Sequence, residues 1–230
     1  MSIKRIYLTR RNPAIKAEDF PREWRRHAAL AASFSNVNRR YLQVAQCTKI
    51  GDVPGALSND FAGVALLWME SLEVALEVNE DRDIIERLRP DEVRVFGTEV
   101  VNCSMFAQER IVSEGKTTSV VLIEFLTRKK ETASQEFAQR WQGDHAARVT
   151  STDAFKRHGR RYAQNLVVRA PPVGYEFDGI SEIWFDTIED MSRMLADPAF
   201  RSSVLDDREV FCDAGRIVQM PTKVTHAWSA

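Results

Sequence analysis

Cysteine is scarce in this chain, and the three present sit far apart, at Cys47, Cys103 and Cys212. An odd number at such spacings gives no disulfide framework and no Cys-x-x-Cys zinc site. An excess of either charge is also missing: 32 Lys and Arg stand against 33 Asp and Glu, a net charge of −1. That excludes a global basic field able to draw nucleic acid or an anionic membrane. Basic runs such as Arg10-Arg11 and Arg39-Arg40 are short, and read as solvated faces or internal anion contacts. No apolar run is long enough to span a bilayer. The opening MSIKRIYLTRR lacks the apolar core of a signal peptide. A cytoplasmic protein with no membrane and no nucleic-acid partner is expected. The four histidines form no His-x-x-x-His or Glu-x-x-His cluster, and there is no glycine-rich phosphate loop. The sequence therefore predicts no metal site and no cofactor.

What is present is ordinary globular composition, 44% hydrophobic over 230 residues, written twice. Ile6-Tyr7-Leu8-Thr9-Arg10-Arg11 is answered by Glu124-Phe125-Leu126-Thr127-Arg128-Lys129. Phe20, Trp24 and His27 are answered by Phe137, Trp141 and His145. Arg39-Arg40-Tyr41 is answered by Arg160-Arg161-Tyr162, and Phe61-Ala62-Gly63 with Trp68 by Phe177-Asp178-Gly179 with Trp184. Val95-Phe96 is answered by Val210-Phe211. Landmarks in one order at a nearly constant offset indicate a tandem duplication, with domains at 1–115 and 116–230. Each copy reads β-α-β-β-α-β, the split βαβ arrangement. Its closing strand is expected around Val93 to Val101 and Val210 to Met220. Such a sheet has helices on one face and must bury the other. The second copy is the obvious cover, which predicts an α+β barrel inside one polypeptide. The pseudo-dimeric chain can still pair into a homodimer.

A strand ending in Leu-Thr-Arg, then Phe-x-x-x-Trp, then His-Ala, resembles the EthD family of the dimeric α+β barrel superfamily. So does Phe177-Asp178-Gly179-Ile180-Ser181-Glu182-Ile183-Trp184-Phe185. The resemblance covers nearly the whole chain, as two EthD-like domains. It implies the two-domain ferredoxin-like barrel, and a superfamily of cofactor-free cyclases, isomerases, decarboxylases and dehydratases alongside haem-handling enzymes. It also implies that the helix histidine borders a substrate pocket. The first copy departs from the pattern, with Ala62 and Leu66 where the second has Asp178 and Glu182.

The candidate chemistry centres on His145 and His27, whose imidazoles can exchange protons near neutral pH. The plainer reading is a core histidine bonded to backbone that supports its helix. Trp141 and Trp24 are candidate flat walls for an aromatic substrate. Tyr162 and Tyr41 are candidates to orient or polarise oxygen, and Arg128 and Arg10 to balance negative charge. Asp178 and Glu182, four apart on a predicted strand, are expected on one face, opposite Phe177, Ile183 and Phe185. They make the second half the expected centre of activity. The leading expectation is a cofactor-independent lyase or isomerase acting by proton transfer on an aromatic, polyketide-like or acidic small molecule. The alternatives are a non-catalytic binding protein for an apolar metabolite, and a haem-binding protein with an axial histidine.

Overall fold

The computed structural model describes residues 2–229. Eight strands form a closed antiparallel barrel in the order β1-β3-β2-β8-β5-β7-β6-β4. They are β1 (Ile3–Thr9), β2 (Tyr41–Lys49), β3 (Gly63–Met69), β4 (Ser104–Ser113), β5 (Val120–Leu126), β6 (Gly159–Val167), β7 (Gly179–Phe185) and β8 (Val218–Ser229). The first four make one ferredoxin-like sheet and the last four the other. They join at both edges, β2 to β8 and β4 to β6, so the barrel has no free edge to template aggregation. Fold and architecture are those expected from the repeat.

Strand alternation sorts the side chains into two layers. Ile6, Leu8, Leu66, Val121, Ile123 and Trp184 fill the barrel interior. Their neighbours in sequence face outward, where helices cover them. Tyr7, Leu67 and Met69 pack under α1 (Phe20–Ala32) and the helix Arg89–Phe96. Helix starts follow from local chemistry: Ser71 and Thr187, each just after a third strand, cap helices through their hydroxyls.

Three sequence expectations need correction. Val93 to Val101 is not strand. Arg89–Phe96 is helical, with Pro90 in its first turn and Gly97 in the left-handed conformation (φ 76°) ending it. Its counterpart Asp206–Phe211 is also helix, and the closing strands start later, at Ser104 and Val218. Secondly, Phe177 does not share a face with Ile183 and Phe185. It precedes β7 and packs inside the barrel against Phe125, while those two face the helices; all three are buried. Thirdly, Tyr41 and Tyr162 are not equivalent. The ladders align Val44 with Tyr162, since Val44 pairs with Leu67 and Tyr162 with Ile183 at matching strand positions. Likewise Ile3 pairs with Met69 and Val120 with Phe185, which puts Tyr7 opposite Glu124 in the repeat and Arg5 opposite Leu122.

Candidate functional site

Each half holds a cavity between its helices and the outer face of its sheet, and each cavity is bordered by the predicted histidine. In the first half the volume is about 60 Å³, and the walls include Arg5, Tyr7, His27, Tyr41, Glu92 and Trp228. In the second it is about 10 Å³, with Glu124, His145, Tyr162 and Arg208 on its walls. The second has room for about one water molecule.

His27 and His145 reach these places by different backbones. Trp24 and His27 are three apart on the regular α1; Trp141 and His145 are four apart. The extra residue is absorbed by a wide π turn over Trp141–His145, between the helices Ser134–Arg140 and Ala146–Ser151. Both rings then stand edge-on to a phenylalanine, Phe96 or Phe211.

Neither imidazole is bonded to backbone as the plainer reading required. His27 Nδ1 lies 2.8 Å from Asp91 Oδ2, and His145 Nδ1 lies 2.9 Å from Asp207 Oδ2. The Asp91 carboxyl is lowered to about 2, chiefly by His27 and further by Arg94, so it is an ionised acceptor. His27 Nδ1 must therefore carry the proton. The other ring nitrogen, Nε2, has no hydrogen-bond partner among the described residues. Burial pushes the His145 value down, against the opposing pull of Asp207. Asp207 is itself raised by burial, but bonds from His145 and Arg140 outweigh that and leave it lowered. Sequence reasoning missed both aspartates, because the pairing crosses the fold. The available signal was an acid shortly before the repeated Val-Phe in each copy.

The tyrosines divide. Tyr162 accepts a bond from Gln164 Nε2 at 2.9 Å, whereas the Tyr41 hydroxyl has no partner among the described residues. Burial raises both phenols, so both stay protonated at neutral pH. A buried glutamine that the repeat search overlooked holds each helix: Gln46 and Gln164 donate to the carbonyls of Trp24 and Trp141.

The remaining candidates lie elsewhere. Trp24 and Trp141 are fully buried, line neither cavity, and press on Gly63 and Gly179. Both rings pack between helix and sheet, away from the cavities. Arg10 pairs with Asp60 and Arg128 with Asp178, at the ends of β1 and β5, outside the cavities. Glu182 is inside the barrel, bonded to Lys4 at 2.7 Å and Asn165 at 2.8 Å. Asp178 and Glu182 therefore serve separate ion pairs, and the asymmetry that favoured the second half lies outside its cavity.

Among the described residues, no group of three or more His, Cys, Asp and Glu side chains could hold a metal ion. No helix among them is long and apolar enough to cross a membrane. Haem fits poorly: either cavity is far below the several hundred Å³ of sites that enclose drug-sized ligands.

Residues 12–99 and 129–215 each match the EthD domain. No curated protein matches the sequence. Solved structures with the same fold include an anthrone oxidase-like protein at 12% identity (TM-score 0.67, 100% of this chain, 92% of that one). Another is a candidate monooxygenase from Fusobacterium nucleatum at 8% identity (TM-score 0.62, 99% and 94%). A third is chlorite dismutase from Candidatus Nitrospira defluvii at 10% identity (TM-score 0.53, 97% and 92%). Identities this low establish a common fold and not a common reaction.

Proposed function

Since the chain belongs to the EthD family and carries its domain twice, we propose that it is a small-molecule enzyme whose first half moves a proton through His27. One observation carries this reading: Nδ1 is fixed on the ionised Asp91, Nε2 has no partner among the described residues, and the His27 side chain borders a cavity. A base held in one tautomer by a carboxylate is poised to abstract a proton, and the same carboxylate stabilises the imidazolium that forms. Tyr41, protonated and without another partner, is placed to donate to the oxygen on which negative charge develops. The proton then returns from Nε2 to the product. Proton abstraction followed by reprotonation at a different atom is an isomerisation; loss of a leaving group instead makes the reaction a lyase reaction. Neither outcome calls on a cofactor.

In the second half His145 also meets an aspartate, but Tyr162 is not the counterpart of Tyr41, and it borders what little space remains together with the Arg208–Glu124 pair. We assign that half to support. A cavity of about 60 Å³ suits a small acid or one functional group of a larger molecule. An aromatic or polyketide-like substrate requires the α1 wall of Ala28, Ala31 and Ala32 to yield.

Carbon-bound hydrogen exchange tests this without knowledge of the final product. Enolisable acids and phenolic ketones are incubated with the protein in D2O and followed by proton NMR. Exchange that is lost in His27→Gln and kept in His145→Gln is expected. Exchange undiminished in His27→Gln overturns the assignment.

A further inference from the structure

We infer that the His27 cavity selects a small organic acid, with the Arg5 guanidinium as the counter-charge to its carboxylate; this rests on that cavity being the working site. The argument begins with two adjacent cations on β1. Alternation sends Lys4 into the barrel, where its ammonium meets Glu109 at 2.6 Å and Glu182 at 2.7 Å. It sends Arg5 the other way, toward the helices. Arg5 is only 6% exposed. Its Nε donates to Ser104 Oγ at 3.0 Å, and Phe106 lies 5.8 Å from Cζ. Among the described residues no acidic oxygen comes within 4.0 Å of it, and its two terminal nitrogens have no hydrogen-bond partner.

A charge removed from water without a partner is costly, and buried charges are ordinarily paired. Arg208, also buried, meets that rule: its Nη1 lies 2.6 Å from Glu124. Arg5 does not, and it borders a cavity. Glu92 borders the same space, but it lies beyond ion-pair distance and one of its oxygens is held by the Val100 N–H. The guanidinium offers two parallel donors suited to a carboxylate. The Tyr41 hydroxyl borders the same space, as a further donor without a partner. The second half has no equivalent, because Leu122 stands at the ladder position of Arg5.

The probes are sodium propionate and its uncharged isostere propionamide, titrated into the full chain at fixed ionic strength. Binding is read from the fluorescence of Trp228, which borders the cavity, and from the His27 imidazole resonances. Propionate is expected to saturate at about tenfold or more lower concentration than propionamide, and Arg5→Gln to erase that preference. Equal binding of both probes by the unmodified protein, or a preference that survives Arg5→Gln, overturns the proposal. The unmodified chain tests it even if the variant does not fold. His27→Gln separates the two claims. If it keeps both propionate selectivity and proton exchange, the base assignment fails while the acid site stands.

Discussion

The indole of Trp24 occupies the space where a side chain at position 63 would begin. A Cβ on Gly63 would lie 2.3 Å from Trp24 Cζ3, and one on Gly179 would lie 2.6 Å from Trp141 Cζ3. The glycine that opens each third strand is thus the seat of the helix tryptophan. This contact fixes how close each histidine-bearing helix lies to its sheet.

Gly63→Ala and Gly179→Ala should each destabilise the chain by about 1–3 kcal/mol through overpacking, because the rings they strike are fully buried. Denaturant melts measure this. A near-neutral alanine at either position would show that the helix can lift away freely.

Acid should act on the His27–Asp91 pair. The Asp91 value is depressed from 3.8 to about 2, with the bond to His27 as the largest cause. A depressed carboxyl gives stability that is complete above the unfolded value and lost as pH falls through the folded one. About 2 kcal/mol should therefore disappear between about pH 4 and pH 2. Asp91→Asn should lack that increment in a series of melts across the same range.

His145 should titrate below its ordinary 6.5, because burial outweighs the pull of Asp207. Its contribution to stability is then present above about 6.5 and declines as pH falls below it. Asp207→Asn removes the opposing pull and should lower the value further. Proton NMR of the imidazole follows both. An unshifted or raised value in the unmodified protein would contradict the buried, neutral ring.

Lys4 should be the most sensitive charge in the molecule. Its side chain is fully buried between Glu109 and Glu182, and the ammonium sits 4.3 Å from the Trp68 ring centroid. Lys4→Met takes the cation from both carboxylates, leaving the buried Glu182 only its bond from Asn165, and should cost about 3–5 kcal/mol. Adding Glu182→Gln should recover part of that loss, and a double-mutant cycle quantifies the coupling.

The repeat made the barrel legible, because duplicated landmarks and element order survive small shifts in register. Side-chain geometry did not survive them. The Arg-Arg-Tyr match joins Tyr41 to Tyr162, yet the sheet puts Val44 in that place. Val93 to Phe96 alternates like a strand, but Pro90 and Gly97, both visible in the sequence, mark the ends of a helix. The histidines were found because they recur. Asp91 and Asp207 escaped because a contact between distant helices leaves no spacing to read. Arg5 escaped for another reason: it sits inside a strand whose neighbouring lysine has the opposite destination.

The long last strand makes the two halves unequal in time. β8 lies beside β2 and brings Trp228, opposite Val44, to the wall of the His27 cavity. A ribosome delivers Arg5 and His27 well before Trp228, with nearly the whole second half between them. An amino-terminal half released alone would carry His27 and Asp91, a bare β2 edge and an open-sided cavity. Closure of the cavity is thereby tied to closure of the barrel, so the intermediates most prone to stick to one another are also those whose His27 cavity is still open-sided.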